Sequence, residues 1–283
     1  MKILLTGSAG FIGSSLLKFL SKKNFKIYAI YNKSKPIKYS NVNYIKSDLK
    51  KLKQIPKNID CVIHAAVKNP ENTYKKILFN ENINSSKNIF KLALKFNTKK
   101  IIYFSSIAVY EKVKKYKIRE NDLKVTPRTI YAKSKYVGEK LLQNISKNSD
   151  ISTVLIRLPT VIGRGSTFNA ISQIKKKILR GEKISVFNPN IGYNRVIHIN
   201  TLNKFIYTVI KDKKKNSQII HLGSSNPIKF KNLILLMFKN LKIKPNIVLE
   251  KNTKSFLLDI SKAKKYMFLP ETVKKTINYY FKY

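Results

Sequence analysis

The sequence is poor in cysteine, histidine and acidic residues, and these shortages exclude several kinds of protein. The only cysteine is Cys61, so no intramolecular disulfide can form, which fits a reducing, cytoplasmic setting. One Cys and three scattered His residues give none of the ligand spacings that metal sites use. We therefore expect a cytoplasmic protein that binds no metal.

Hydrophobic runs long enough for a membrane are also lacking. No apolar stretch approaches the roughly 20 residues that cross a bilayer, and residues 233–238 form one of the longest. The first predicted strand begins at residue 2, which leaves no room for a signal peptide. Neither membrane insertion nor secretion is expected.

Acidic residues number only 14, against 58 Lys and Arg, which gives a net charge of +44. A charge of this size attracts polyanions, and a nucleic-acid partner is one explanation for it. The lysines are spread along the whole chain, however, and no nucleic-acid-binding motif accompanies them. Lys, Asn and Ile are all abundant and all have A/T-rich codons, so base composition accounts for the charge. We expect attraction to anionic ligands such as nucleotide diphosphates, but no specific nucleic-acid partner.

The 283 residues, 43% of them hydrophobic, are enough to bury a sizeable core. Short apolar runs alternate with amphipathic stretches through the first half, as in parallel strands joined by helices. Strands are predicted at 2–6, 27–31, 42–46, 61–66, 101–106 and 153–158, and helices near 14–22, 71–97 and 130–147. The pattern predicts an α/β fold, a doubly wound parallel sheet of the Rossmann type, with ligands beyond the carboxyl ends of its strands.

The pattern changes after about residue 160, where loops with Gly and Pro become frequent. Amphipathic helices are predicted near 166–180 and 229–240, which indicates a smaller α+β region. We therefore predict a first domain over residues 1–160 and a second over 161–283. Residues 193–215 are expected to return to the first domain, so the boundary is not a single cut.

The segment TGSAGFIG at residues 6–13 places three glycines between the first predicted strand and a helix. A helix N-terminus offers unpaired N–H groups and a positive dipole end to a phosphate. Glycine allows the backbone to approach the ligand and lets the helix pack closely on the strand. The motif predicts a dinucleotide site, and the alternative is an ordinary tight turn that binds nothing.

Tyr131 and Lys135 lie four residues apart in the helix predicted over 130–147, and therefore on one face of it. An ammonium beside a phenol lowers the phenol pKa from its usual value of about 10. A tyrosine adjusted in this way can transfer protons near neutral pH. Both residue types are abundant in this chain, so the pair gains its meaning from the motif upstream of it.

Together these motifs resemble those of the extended short-chain dehydrogenase/reductases, the NAD(P)-dependent nucleotide-sugar epimerases, dehydratases and reductases. The resemblance runs from end to end of the chain. It is carried by TGSAGFIG at 6–13, SDL with Asp48, HAA at 64–66, Asn82, YFSSIAVY at 103–110, YAKSK at 131–135, RLPTVIG at 157–163, RVIH at 195–198, and LDISKA at 258–263 with Pro270.

The resemblance implies a catalytic set of Ser106, Tyr131 and Lys135. Ser106 and Arg195 are expected to contact the substrate, which the second region mainly binds. It also implies a nucleotide-diphosphate sugar as substrate, a homodimer formed through paired helices, and a role in making sugars for surface polysaccharides. The residues that it assigns to the cofactor are Gly7, Ser8, Ala9, Gly10, Phe11, Ile12, Gly13, Asn32, Lys33, Asp48, Leu49, Ala65, Ala66, Asn82, Ser105, Tyr131, Lys135 and Pro159.

Several of the singled-out residues have a structural alternative. Asp48 can simply cap the following helix instead of contacting the adenine. For His64 a hydrogen-bonded core histidine is the favoured interpretation, with only its backbone near the cofactor. Glu139 is interpreted as a solvated or helix-pairing charge, and Arg195 as either a diphosphate ligand or one more surface cation.

Two departures from the family pattern limit which reaction and which cofactor are expected. Ile107 and Ala108 follow the catalytic serine where sugar 4,6-dehydratases carry an acidic pair, so dehydration is not expected. Asn32 and Lys33 stand where an acid would bind the adenosine ribose hydroxyls. Lys33 or Lys35 can pair with a 2′-phosphate, which slightly favours NADP over NAD.

These features predict an NAD(P)-dependent nucleotide-sugar epimerase or ketoreductase, and the sequence does not decide between the two. The alternative is a non-catalytic NAD(P)-binding protein with a regulatory or scaffolding role. The intact Ser-Tyr-Lys set argues against that alternative, because a protein that only binds a dinucleotide has no need of Tyr131.

Overall fold

The computed structural model describes residues 1–68, 75–110, 113, 115–122, 125, 127–214, 217–250 and 255–282. The chain divides into two compact units, each built from three segments. The first comprises Met1–Val109, Val125–Arg157 and Ile206–Ile220, and the second comprises Tyr110–Lys124, Leu158–Phe205 and His221–Tyr283.

Strands and helices alternate through the first half of the chain. They are β1 (Lys2–Thr6), α1 (Phe11–Leu20), β2 (Lys26–Tyr31), β3 (Val42–Lys46), β4 (Cys61–His64), α2 (Lys75–Lys95), β5 (Lys100–Ser106), β6 (Lys117–Ile118), α3 (Ile130–Lys147) and β7 (Ser152–Leu158). Residues 71–74 of the helix predicted over 71–97 lie outside the described ranges.

The second half contains shorter elements. They are β8 (Thr160–Ile162), α4 (Ala170–Leu179), β9 (Ile184–Phe187), β10 (Gly192–Tyr193), β11 (Val196–His198), α5 (Ile199–Lys211), β12 (Gln218–His221), β13 (Ile228–Lys229), α6 (Phe230–Leu241), β14 (Ile247–Glu250), β15 (Leu257–Leu258), α7 (Ser261–Lys265) and α8 (Val273–Lys282). Across the described residues, no helix is both long and apolar enough to cross a membrane.

Seven strands form one parallel sheet in the order β12-β7-β5-β4-β1-β2-β3. β1 lies between β2 and β4, with Leu4 opposite Tyr28 on one side and opposite Val62 on the other. The chain order therefore reverses beside β1, and such a switch point opens a crevice beyond the carboxyl ends of the strands. The doubly wound α/β fold predicted from the sequence is confirmed.

The central strands are largely buried. Every residue of β4 and β7 is buried, as the near-continuous apolar runs of parallel strands require. One core cluster joins Leu4 of the sheet to Phe90 of α2 and Leu142 of α3. Phe19 of α1 instead contacts Tyr207 of α5, with ring centroids 6.2 Å apart. α2 and α3 therefore pack together on the sheet, and α1 packs with the end of α5.

The second unit has a core of its own. β9 pairs with β14 and β8 with β11, both in parallel, whereas β10 and β13 are antiparallel. Its core cluster buries Ile171 of α4, Leu233 and Met237 of α6, and Ile277 of α8. This mixture of short strands and helices agrees with the predicted α+β region.

The division between the units differs from a boundary at residue 160. Residues 110–124 precede β7 in the chain but belong to the second unit, because β6 pairs with β15 through Lys117 and Leu257. The segment that returns to the first unit is Ile206–Ile220, whereas the sequence predicts 193–215. Local patterning cannot find such a boundary, since it depends on pairing between strands far apart in the chain.

Candidate active site

The loop between β1 and α1 is built around a left-handed glycine. Gly7 has a φ of +70°, which glycine adopts without strain. Its carbonyl oxygen accepts the Gly10 N–H at 3.0 Å, and the first helical bond runs from Ser14 N to Gly10 O at 2.8 Å. The N–H groups of residues 11–13 precede that bond and have no intrahelical acceptor, so they are available to an anion.

The three glycines of this loop have different tasks. A Cβ on Gly7 would lie 2.7 Å from Ala66 Cα, and a Cβ on Gly13 would lie 2.0 Å from Gly7 O. Backbone atoms therefore leave no space for a side chain at either position. A Cβ on Gly10 would meet only Gly7 O, at 3.4 Å. Packing within the protein therefore does not require glycine at position 10, and the missing side chain leaves space for a ligand.

A cavity of about 420 Å³ adjoins this loop, lined by residues that directly follow β1, β2, β3 and β4. Its glycine rim and its helix N-terminus fit the diphosphate of a dinucleotide. The residues assigned to the cofactor that line it are Gly7, Ala9, Gly10, Phe11, Ile12, Gly13, Asn32, Lys33, Asp48, Leu49, Ala65, Ala66 and Asn82.

Ser8, which is also assigned to the cofactor, is not among the residues that line the cavity. Its side chain is fully buried, and its hydroxyl donates to Ile30 O at 2.9 Å. The Ser8 N–H also donates to Ile30 O, at 3.2 Å. Ser8 therefore holds the glycine loop against β2 and does not line the cavity.

The sequence interpretation missed six polar residues of the cavity wall, which are Tyr31, Ser34, Ser47, Lys68, Glu81 and Ser85. Glu81 and Ser85 lie on α2 beside Asn82, at the i, i+4 spacing of a single helix face. Lys50 forms an ion pair with Glu81 and reduces the negative charge at the cavity. The helical spacing around Asn82 was the available signal for the two α2 residues.

Asp48 caps the turn that follows β3 and also borders the cavity. Its Oδ1 accepts the Lys50 N–H at 3.0 Å, and its Oδ2 lies 3.6 Å from Lys50 Nζ. The same residue lines the cavity at the end of β3. Capping the turn and bordering the ligand space are therefore compatible.

His64 is a hydrogen-bonded core histidine, in agreement with the favoured interpretation. Its Nδ1 is 2.8 Å from Thr6 Oγ1 and its Nε2 is 3.0 Å from Ser86 Oγ, and the residue is only 1% exposed. Burial, with a smaller contribution from the charge of Lys135, lowers the pKa of His64 to about 3. The imidazole is therefore neutral and ties β1, β4 and α2 together. In the described ranges no three His, Cys, Asp or Glu side chains are grouped to hold a metal.

Asn82 connects the cavity to α3. Its Oδ1 accepts the Lys68 N–H at 2.8 Å, and its Nδ2 donates to Ser134 Oγ at 3.2 Å. Ser134 Oγ in turn donates to Tyr131 O at 2.8 Å. A side chain of the cavity wall is therefore hydrogen-bonded to the turn of α3 that carries Tyr131.

Tyr131 and Ser106 meet where β5 ends and α3 begins. Thr129 caps α3 by accepting the Ala132 N–H at 3.1 Å, which sets Tyr131 in the first helical turn. The Ser106 hydroxyl lies close enough to the Tyr131 phenol to oppose the rise in the phenol pKa. Ser106 Oγ also accepts the Ala108 N–H at 3.1 Å. The structure therefore brings together the two hydroxyl groups that the sequence assigns to catalysis.

Lys135 lies one turn further along α3 and is 5% exposed. Its Nζ donates to Phe104 O at 2.8 Å and is 6.0 Å from the centroid of the Tyr131 ring. Burial lowers the pKa of Lys135 to about 7, against the opposing effect of Glu139, which raises it. Lys135 therefore changes its charge state near neutral pH.

The expected lowering of the Tyr131 pKa is not found. Desolvation raises the pKa of Tyr131 to about 12, and the neighbouring Ser106 hydroxyl offsets this only in part. The Lys135 ammonium is bonded to a backbone carbonyl rather than to the phenol. Tyr131 is therefore protonated at neutral pH in this structure, the form that can donate a proton.

Glu139 is a second correction, because it is not a solvated charge. It is 0% exposed, and its carboxylate accepts Arg157 Nε at 3.0 Å and Arg157 Nη2 at 2.7 Å. Ser105 Oγ donates to the same carboxylate at 2.5 Å. The Ser105 side chain is therefore engaged with this ion pair in the core, and its assignment to the cofactor stays a prediction.

Arg195 and Pro159 belong to the second unit. Pro159 is buried between β7 and β8. The Arg195 guanidinium lies 5.1 Å from the Tyr193 ring centroid and 4.8 Å from that of Phe256, and Nη2 donates to Ser255 Oγ at 2.7 Å. Its buried Nε has no hydrogen-bond partner among the residues that the structure describes. A half-buried guanidinium held between two rings, with a donor to spare, is suited to an anion.

Alanine substitutions at Gly13 and Gly10 should separate the two tasks of the glycine loop. Gly13→Ala forces a Cβ into Gly7 O, so we expect a loss of about 1–3 kcal/mol in the free energy of unfolding. Gly10→Ala should stay within about 1 kcal/mol of the parent and weaken dinucleotide binding about tenfold, because its methyl group occupies ligand space. Thermal denaturation and calorimetric titration with NAD and NADP measure both effects. Equal stability of the two variants would contradict the packing argument.

The sequence model of the NAD dependent epimerase/dehydratase family matches residues 3–223 of this chain. An uncharacterised protein from Methanocaldococcus jannaschii is 30% identical over 268 residues, which cover 86% of this chain and 81% of that protein. The UDP-glucose 4-epimerase of Vibrio cholerae is 26% identical over 239 residues, which cover 80% of this chain and 71% of that enzyme.

Solved structures with a similar fold cover the whole chain. The UDP-glucuronic acid 4-epimerase of Bacillus cereus, in complex with NAD, superposes with a TM-score of 0.83. The superposition covers 100% of this chain and 96% of that one, at 24% sequence identity. At this identity the likeness shows the fold alone.

Proposed function

Because this chain belongs to the NAD-dependent epimerase/dehydratase family, we propose that it is an NAD(P)-dependent epimerase of nucleotide-diphosphate sugars. The observation that carries the proposal is the proximity of the Ser106 hydroxyl to the Tyr131 phenol, close enough to oppose the rise in the phenol pKa. Asn82 links this pair to the cavity that suits a dinucleotide. A protein that only binds a dinucleotide needs the cavity but not a proton-transfer pair.

In the proposed reaction, Ser106 and Tyr131 act on the oxygen of the sugar hydroxyl that is oxidised. Ser106 Oγ donates a hydrogen bond to that oxygen and stabilises the charge that develops on it. Tyr131 Oη accepts the hydroxyl proton during oxidation and returns it during reduction. A bound nicotinamide supplies the removal and return of a hydride at the sugar carbon. Epimerisation results when the keto sugar turns its other face before it is reduced.

Tyr131 needs electrostatic help to act as a base, since its pKa is about 12. At pH 7.5 the deficit is about 4.5 pKa units, or ~6 kcal/mol. A protonated Lys135 at a separation on the order of 6 Å contributes about 3 kcal/mol at an effective dielectric constant of 20. Lys135 therefore offsets about half of the deficit, and only while it carries its charge.

The substrate class is supported by Arg195 and by the named relatives. The planar guanidinium of Arg195 matches the paired oxygens of a diphosphate. The Vibrio cholerae and Bacillus cereus relatives are named as 4-epimerases of UDP-glucose and of UDP-glucuronic acid, respectively. UDP-hexoses are therefore the first substrates to test.

For the cofactor we propose that NADP is accepted beside NAD. Asn32 and Lys33 line the cavity directly after β2, in place of an acid that would hold ribose hydroxyls and repel a phosphate. The Lys33 ammonium can neutralise a 2′-phosphate there. The structural relative from Bacillus cereus is in complex with NAD, so both cofactors belong in every assay.

The proposal is tested by incubating the purified protein with UDP-, dTDP- and GDP-sugars, each with NAD, NADP or NADPH. We expect a product of unchanged mass that differs at one stereocentre by NMR, without net consumption of the cofactor. A product that gains or loses two hydrogens, with stoichiometric use of the cofactor, would assign a ketoreductase instead. Tight dinucleotide binding with no product from any sugar would favour the non-catalytic alternative.

A further inference from the structure

A buried ion pair contacts both elements that carry the catalytic set, α3 and β5. Glu139 stands on α3 one turn after Lys135, and Arg157 stands on β7. Their side chains are 0% and 3% exposed, respectively. The third member of the cluster, Ser105, immediately precedes the catalytic serine on β5 and donates to Glu139 at 2.5 Å.

We infer that Glu139 is a positioning residue that holds the end of β5 against α3. Ser106 is thereby kept beside Tyr131, and Phe104 O is kept where it accepts the hydrogen bond from Lys135 Nζ. The bidentate contact with Arg157 prevents the carboxylate from rotating. The fixed carboxylate then holds Ser105 by a short, charge-assisted hydrogen bond. The residues on either side of Ser105 make the two contacts on which the catalytic set depends.

Glu139 also sustains the charge of Lys135. The titratable groups that face Lys135 from the surrounding elements are Tyr131 and Glu139 of α3, Tyr103 of β5, and His64 of β4. Burial raises the Tyr103 pKa and lowers the His64 pKa, so both are neutral at pH 7. Of these groups, therefore, only Glu139 supplies a negative charge. Arg157 on β7 faces the carboxylate rather than the ammonium.

The sign of the expected pH effect follows from this arrangement. Desolvation lowers the pKa of Lys135 and Glu139 raises it, with a balance at about 7. Without the carboxylate the Lys135 pKa falls further, so the ammonium loses its proton at a lower pH. Because catalysis needs the charged form, the alkaline limb of the activity profile should move to lower pH.

The inference rests on the proposed function, and two variants separate its positional and electrostatic parts. Ser105→Ala removes the hydrogen bond to Glu139 and leaves the ion pair intact. Glu139→Gln combined with Arg157→Met removes both charges together, so neither is left buried alone. The glutamine amide oxygen still provides an acceptor for Ser105.

We expect Ser105→Ala to lower kcat about tenfold with its alkaline limb unchanged. The double variant should keep a larger fraction of its activity at pH 6 than at higher pH. Its alkaline limb should lie about one pH unit below that of the parent. Ser152→Ala is the matched control, because it removes a buried serine hydroxyl at the opposite end of the sheet, where β7 begins. A purely structural role of Glu139 predicts that any variant with parental stability retains the parental kcat and pH profile, and that result would overturn the inference.

A measurement that needs no substrate separates this inference from the proposed function. NMR titration of protein labelled with [ε-13C]lysine reports the Lys135 pKa, with the resonance identified by its loss in Lys135→Arg. We expect the double variant to show a pKa lower than the parent and Ser105→Ala to show the parental value. Equal pKa values in the parent and the double variant would refute the electrostatic part. If the NMR shift is found but no sugar is converted, the proposed function fails and the arrangement stands.

Discussion

Tyr131→Phe is expected to lower turnover about 1000-fold and to leave dinucleotide binding within about threefold of the parent. Positioned acid–base groups contribute on the order of 100- to 10,000-fold to a reaction. The substitution removes one oxygen atom and keeps the ring that lies 6.0 Å from Lys135 Nζ. The substitution leaves the glycine loop and the cavity untouched, since the described link from Tyr131 to the cavity runs through its backbone carbonyl and Ser134.

The reason for so large an effect is that no neighbouring group can replace the phenol. Ser106 lies beside Tyr131, but a serine hydroxyl does not ionise near neutral pH and serves only as a donor to the reacting oxygen. Lys135 is bonded to Phe104 O. Turnover is measured with the sugar that the panel identifies, under saturating cofactor, and binding by calorimetric titration with NAD or NADP.

Tyr136→Phe provides the matched control on the same helix. Tyr136 is half-buried, and Lys140 Nζ lies 5.2 Å from its ring centroid, so it too is a tyrosine beside a lysine at i+4. We expect its turnover to stay within about twofold of the parent, as for substitutions away from the reacting atoms. Turnover of Tyr131→Phe within tenfold of the parent would remove Tyr131 from the proton-transfer role.

The parts of the site that could be predicted from the sequence depend on short-range patterning. The strand predicted at 42–46 coincides with β3 and the helix predicted at 130–147 with α3, because alternation and capping are local properties. The glycine loop was recognisable for the same reason. A left-handed turn, a close strand–helix contact and an open N-terminus each require glycine within a few residues.

The parts that could not be predicted depend on which strand lies beside which helix. Glu139 is read as a surface charge from its sequence, since a chain with 58 basic residues offers every acid many partners. Only the placement of β7 next to β5 brings Arg157 to α3 and buries the pair. The prediction of a lowered Tyr131 pKa failed for a related reason. The i, i+4 spacing predicts that Lys135 is near, but it contains no information about desolvation, which is the larger effect.

Breaking the buried ion pair from one side should destabilise the first unit more than any surface substitution. Glu139→Ala leaves the Arg157 guanidinium, 3% exposed, without its carboxylate. We expect a loss of about 3–5 kcal/mol in the free energy of unfolding, because a buried charge that loses its counter-charge is no longer compensated for its desolvation. Arg cannot relieve this by losing its proton. Urea unfolding followed by circular dichroism measures the change.

The converse variant should behave differently as the pH changes. Arg157→Ala leaves a buried carboxylate, which can take up a proton and become neutral, so its instability should diminish at pH 5 relative to pH 8. Glu139→Ala should show no comparable recovery at low pH. Glu139→Leu combined with Arg157→Met should regain most of the lost stability, since an apolar pair of similar volume can replace a buried ion pair.

Lys99→Ala is the control for the ion pair, because Lys99 Nζ lies 2.8 Å from Asp60 Oδ1 but its side chain is 79% exposed. Exposed pairs contribute about 0–1 kcal/mol, since water screens the charges and the side chains lose rotamer freedom. The two substitutions therefore remove ion pairs of similar length in very different surroundings. If they lower stability equally, burial does not govern the contribution of Glu139, and the lock between β5 and α3 loses its physical basis.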